Sequence, residues 1–145
     1  ECSAVVASDA DAIAEFLADL GYSLIFNSEA HCGIGSSIQC GIRKSLARAW
    51  IITLADMPFI QTETIASCVQ YLCAGEKLVA ASYQGKRGHP VGIHHDYKTQ
   101  LLSLPADVGA KQIINANLAH LRMFSTQDKG VVWDIDTSDD IEKWV

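Results

Sequence analysis

The sequence predicts an α/β fold, a Rossmann-like three-layer α/β/α sandwich with a mostly parallel sheet, and three observations carry that prediction. The first is the run Trp50-Ile51-Ile52-Thr53-Leu54-Ala55, which ends abruptly at Asp56 and Pro58. A nearly continuous apolar run of this length reads as a strand buried on both faces. Pro58 has no N–H for a ladder, so the strand must stop there. The second is the alternation of short apolar runs with segments of helical period, in βαβαβαβ order. The third is composition: 49% of residues are apolar and 19% charged, as suits a sheet covered on both sides. Asp56 then stands at the carboxyl end of a central strand, where open α/β sheets bind ligands.

The elements follow in order. Residues 3–7 form a short apolar strand, and Asp9 can cap the helix after it, with Asp11 in its first turn. Over 10–20, Ile13, Phe16, Leu17 and Leu20 recur at helical spacing, and Gly21 closes that helix. A second strand covers 22–26. The loop Asn27-Ser28-Glu29-Ala30-His31-Cys32-Gly33-Ile34-Gly35-Ser36-Ser37 opens a helix with Ser36 or Ser37 near its N-cap and Ile38, Ile42 and Leu46 inward. Such a loop either binds an anion at the helix N-terminus or merely connects two elements. After the strand at 50–55 come a helix over 62–72 with Ile65, Val69 and Leu72 inward, and a strand over 78–83. The polar turn Gln84-Gly85-Lys86-Arg87-Gly88-His89-Pro90 leads to an extended 91–93, a β-excursion from the parallel scheme. Helices are predicted over 96–104 and 110–116, strands over 121–124 and 131–135 around a turn at Asp128-Lys129-Gly130, and a short terminal helix from Ser138. The whole chain is read as one domain.

A net charge of −6 and the absence of any basic run argue against a nucleic-acid-binding face. No apolar stretch reaches the roughly 18 residues that span a membrane, and no leader is visible, so the expected setting is the cytoplasm. The five cysteines, Cys2, Cys32, Cys40, Cys68 and Cys73, are odd in number and contain no CxxC, so they read as reduced and mostly buried. His94 and His95 point opposite ways if extended and lack a close third ligand, so they do not read as a zinc site.

Three polar clusters fall in loops: Asp56, the turn of Arg87 and His89, and Asp134 with Asp136. Carboxylates from two strand ends can converge on Mg²⁺, which takes one or two protein carboxylates plus phosphates and water. Asp134 and Asp136 share one face if 134–136 is extended, and such a like-charged pair is costly unless neutralised. The plainer readings stay open: Asp56 caps the next helix, and the later acids favour the last helix N-terminus. Arg87 can hold a phosphate with its forked donors. His89, fixed before Pro90, presents its ring from a set position or is simply solvated.

Taken together, these residues resemble the MobA-like NTP transferase family, most closely its molybdenum cofactor cytidylyltransferase branch. Asn27 with Gly33-Ile34-Gly35-Ser36-Ser37-Ile38 resembles the family's Asn and Gly-x-x-Ser-Ser-Leu loop. Leu54-Ala55-Asp56-Met57-Pro58 resembles Leu-Ala-Asp-Gln-Pro, and Gly85-Lys86-Arg87-Gly88-His89-Pro90 resembles Gly-x-Arg-Gly-His-Pro. Asp107-Val108-Gly109-Ala110-Lys111 is similar to Gly-Asp-x-Gly-Ala-Arg, with Lys for Arg. Asp134-Ile135-Asp136-Thr137 is similar to Asp-Ile-Asp-Thr-Pro, with Ser138 for Pro. The family's opening strand and Gly-rich loop, Leu-Ala-Ala-Gly-x-Ser-x-Arg-x-Gly with its Lys, have no counterpart, so the resemblance implies an N-terminally truncated domain.

The resemblance implies the nucleotide-diphospho-sugar transferase type of fold and transfer of CMP from CTP to a phosphate-bearing acceptor such as molybdopterin. It places Mg²⁺ on Asp56, Asp134 and Asp136. It gives catalytic roles to Asp56, Asp136, Arg87 and His89, and contacts with the nucleotide, CTP rather than GTP, to Asn27, Gly33, Ser36 and Ser37. The alternative is an inactive truncated relative serving as a binding or self-assembling module, a homodimer covering its exposed sheet edge.

Overall fold

The computed structural model describes residues 2–144. Its regular elements begin β1 (Ser3–Ala7), α1 (Asp11–Asp19), β2 (Ser23–Asn27), α2 (Ile34–Lys44), β3 (Ala49–Ile52) and α3 (Thr62–Cys73). They continue with β4 (Leu78–Tyr83), β5 (Lys86–His94), α4 (Lys98–Leu102), α5 (Lys111–Ala116), β6 (Leu121–Ser125) and α6 (Ser138–Trp144). The chain divides into two compact units, one of residues 2–46 with Tyr97–Ala116, the other of Ala47–Asp96 with 117–144.

In the first unit β1 and β2 pair in parallel, with Val5 opposite Ile25 and Val6 opposite Phe26. The α1 crossover between them makes a β-α-β step, as the sequence alternation predicts. Its N-cap is Ala10 rather than Asp9, and Gly21 (φ 83°) leaves the helix in the left-handed region. The apolar face expected of α1 is not buried: only Ala14 is, and Ile13, Phe16 and Leu20 are exposed. A two-stranded sheet presents too narrow a face within this unit to cover them. Helix α2 buries Ile38 and Ile42, but Leu46 lies beyond its end and is 98% exposed. Gln39 of α2 donates to the Leu104 carbonyl (2.6 Å), and Leu101, Ile113 and Ile114 supply further core from α4 and α5.

The second unit has one mixed sheet in the order β3-β5-β4-β6. Strand β5 runs antiparallel to both β3 and β4, which is the predicted excursion, and β6 runs parallel to β4. The buried centre is β4, whose Leu78, Val79, Ala80 and Ala81 have no exposed surface. Each large apolar side chain so buried is worth about 1.5–3 kcal/mol. Helix α3 lies across β5, where a Cβ on Gly92 would meet Cys68 Sγ at 2.9 Å. Burial pushes the Cys68 thiol up to about 11, so it packs rather than reacts. Cys68 takes the inward place predicted for Val69, which is exposed.

Three expectations are corrected here. The strand predicted over 50–55 stops at Ile52, stands at one end of the sheet order, and is half-buried throughout. A turn closed by Met57 N–H on the Leu54 carbonyl (3.2 Å) takes the remaining apolar residues out of the ladder. The strand predicted over 131–135 is instead a 3-10 turn at Lys129–Val132 followed by irregular chain, because the Asp128 carboxylate accepts from Gly130 N–H and folds the backbone back. The cysteines are free as expected, but Cys68 alone is buried.

Candidate functional site

The second unit assembles the carboxylates. Asp56 lies in the loop after β3 with its side chain exposed, while its neighbour Met57 is buried. Its carbonyl accepts from the Ile135 N–H at 2.8 Å. Ile135 lies between Asp134 and Asp136, both exposed, so one backbone bond ties the loop of Asp56 to the segment that bears the other two acids.

Arg87 and His89 lie on β5 in the same unit. His89 Nδ1 donates to the Ile52 carbonyl at 3.3 Å, which fixes the tautomer and leaves Nε2 as an acceptor. Burial is the largest influence on the ring and lowers its pKa below 6.5; the Ile52 bond and the Asp56 charge oppose it, and Arg87 adds to it. His89 is therefore neutral near pH 7 and senses both Asp56 and Arg87. Gly88 brings β5 against the 3-10 turn so closely that a Cβ would collide with the Val131 carbonyl. The chain running on from Val131 bears Asp134 and Asp136.

The first unit holds the Gly- and Ser-rich loop. Asn27, buried at the end of β2, donates from Nδ2 to Ser36 Oγ (3.0 Å) and Ser37 Oγ (3.1 Å), and its Oδ1 accepts from Glu29 N–H (3.0 Å). Ser36 Oγ lies within reach of the Glu29 and Gly33 carbonyls, 2.8 and 2.7 Å. The helix N-cap is Gly33 (φ 120°) rather than Ser36 or Ser37, and the serines sit inside the first turn of α2. A Cβ at Gly33 would meet the Ala106 carbonyl at 2.8 Å, so this glycine serves close backbone packing as well as its left-handed conformation. A cavity of about 270 Å³ opens beside the loop, lined by Asn27, Glu29, Gln39, Cys40, Arg43 and Ala106.

Among the described residues no three His, Cys, Asp or Glu side chains form a metal cage. Carboxylates such as those of Asp56, Asp134 and Asp136 are the donor type a hard divalent cation takes, one or two from protein and the rest from phosphates and water. The sequence reading places a turn at Asp128-Lys129-Gly130, and Asp128 does cap it, accepting from Gly130 N–H. It missed that Asp128, 3% exposed, also accepts from Gln61 N–H and Thr64 Oγ1.

Residues 1–122 match the family of the MobA-like NTP transferase domain. The chain belongs to this family. A MobA-like NTP transferase domain is a nucleotidyltransferase domain, and the structural likenesses agree with that in fold. The Mycobacterium tuberculosis protein Rv0371c, solved as a manganese complex, superposes with a TM-score of 0.78 at 20% identity, over 96% of this chain and 73% of that one. A nucleotidyl transferase from Methanothermobacter thermautotroptrophicus gives 0.78 at 12% identity, over 98% of this chain and 71% of that one. Molybdopterin-guanine dinucleotide biosynthesis protein A from Archaeoglobus fulgidus gives 0.63 at 15% identity, over 96% and 75%. A search of curated proteins finds no match. The α/β, Rossmann-like class predicted from sequence is thus the fold of this MobA-like chain, with a mixed rather than uniformly parallel sheet in its second unit. No helix among the described residues is long and apolar enough to cross a membrane.

Proposed function

We propose that this MobA-like domain serves transfer of CMP from CTP to a phosphate-bearing acceptor of the molybdopterin type. The observation that supports the reading is the Ile135 to Asp56 bond, which ties the loop of Asp56 to the segment bearing Asp134 and Asp136, together with the charges of Asp56 and Arg87 acting on His89. In the reaction an acceptor phosphate oxygen bonds to the α-phosphorus of CTP, the bond from that phosphorus to the bridging oxygen breaks, and pyrophosphate leaves. Such transfer rests on positioning and on neutralising charge. Mg²⁺ held by Asp56 and Asp136, with Asp134 assisting, supplies that neutralisation when bound. The manganese complex of Rv0371c supports a divalent ion, and the Archaeoglobus protein's name supports a pterin acceptor.

The chain's own residues do the rest. Arg87 places a guanidinium beside the acceptor phosphate. His89, neutral and pinned through Nδ1, offers Nε2 as an acceptor to an acceptor hydroxyl or amide. The loop of Asn27, Gly33, Ser36 and Ser37 is assigned to the nucleotide. Its side chains already bond within the loop, so they act by holding its backbone in shape.

Titration calorimetry of the chain with CTP, and separately GTP, in Mg²⁺ tests this reading, with Asp56→Ala alongside. CTP binding that requires both Mg²⁺ and Asp56 is the expected result. No binding to either nucleotide by a folded sample would exclude a working nucleotide site in this chain and leave the binding-module alternative. Preference for GTP would correct the base.

A further inference from the structure

Asp128 belongs to no motif quoted above, yet it is among the most buried polar residues of the second unit. Its Oδ1 accepts from Gly130 N–H at 2.9 Å, the local bond of a turn. Its Oδ2 accepts from Gln61 N–H at 2.8 Å and from Thr64 Oγ1 at 2.7 Å, both far away in sequence. A turn cap needs only the first bond. The other two fasten the turn after β6 to the head of α3.

The two loops so clasped are those that carry the carboxylates. The loop from Asp56 runs into Gln61, and the turn at Gly130 runs into Asp134, Ile135 and Asp136. At Gly130 the two backbones touch: a Cβ there would collide with the Phe59 carbonyl. The loops meet again at the Ile135 to Asp56 bond. Asp128 and that bond are thus two polar fastenings of the loops, beside the stack of Phe59 on Trp144, and no regular strand pairing joins 53–61 to 133–137.

We propose that Asp128 is a positioning residue, whose three accepted hydrogen bonds set the separation of Asp56 from Asp134 and Asp136. The inference rests on the divalent-cation reading above. An Asn in its place keeps the shape but turns an NH₂ toward a donor, either Gly130 N–H or the Gln61 and Thr64 pair, and breaks the clasp.

The test compares the whole chain with Asp128→Asn by two readouts. Amide hydrogen exchange is followed at Ile135 and at Ala80, the latter reporting global unfolding from the buried centre of β4. Mn²⁺ binding in the presence of CTP is followed by electron paramagnetic resonance. The expected result is Ile135 exchange faster by about tenfold, from the loss of one buried hydrogen bond, with Ala80 changed less. Mn²⁺ affinity should fall by about tenfold, as when support behind metal ligands is removed. Equal acceleration at Ile135 and Ala80 would overturn the proposal, since it would mean a general loss of stability. Mn²⁺ binding unchanged in the variant would overturn this inference alone. No Mn²⁺ binding by the unaltered chain would overturn the cation reading and the inference together. If Asp128→Asn does not fold, Thr64→Val removes one arm of the clasp without changing shape and carries the same comparison.

Discussion

The Ile135 amide donates to the Asp56 carbonyl at 2.8 Å, and that bond brings together two acidic segments from distant parts of the sequence. The bond is a backbone one, so substitution of the acids themselves leaves it in place. Carboxylate chemistry can therefore be removed from this site while its frame is kept.

His89 reports on that neighbourhood. Asp56 raises its pKa and Arg87 lowers it, both against the larger lowering by burial. Asp56→Asn should therefore lower the His89 pKa further, and Arg87→Gln should raise it, as read from the ring proton shifts in an NMR titration. Because the folded value lies below the ordinary 6.5, the neutral ring contributes stability that is fully present above pH 6.5. That contribution is lost as pH falls through the lowered value. An unmoved His89 titration in both variants would mean that neither charge faces the ring.

Gly88 offers a test of packing. A Cβ there would collide with the Val131 carbonyl, which is backbone and cannot swing away. Gly88→Ala should cost about 1–3 kcal/mol by overpacking, read as a lower urea midpoint with an unchanged slope. Lys86→Ala, exposed on the same strand, should cost much less. Equal stability of the two variants would show that β5 and the turn stand farther apart than described.

Much of this was legible in the sequence, and the failures have physical causes. Gly and Pro punctuation and helical spacing located α2, α3 and β4, since those patterns follow from local geometry. The same spacing in α1 misled about burial, because Ile13, Phe16 and Leu20 show a face without saying what covers it. The run from Trp50 looked central because it is apolar throughout, yet β3 is half-buried, with Trp50 stacked against His95 at 6.4 Å. For the site, the motif resemblance supplied Asp56, His89, Asp134 and Asp136 as candidates. The distant bonds of Asp128 stayed hidden because its partners, Gln61 and Thr64, are near it only after folding.

The same contrast bears on the nucleotide loop. Sequence marked Asn27, Gly33, Ser36 and Ser37 as ligand contacts; in the fold Asn27 also bonds to Ser36 and Ser37, and the Ser36 N–H donates to the Ala106 carbonyl. Polar residue types announce hydrogen bonding but not its direction, and the buried Asn27 amide needs internal partners whatever the loop binds.

The most direct measurement is Mn²⁺-induced broadening of amide resonances of the chain in the presence of CTP. A single divalent-cation site on the gathered acids predicts that the amides of Asp56, Ile135 and Asp136 broaden first and together, and that Asp56→Ala abolishes the effect. Broadening confined to other acids, such as Asp139 and Asp140 at the start of α6, or spread evenly over the surface, would contradict it.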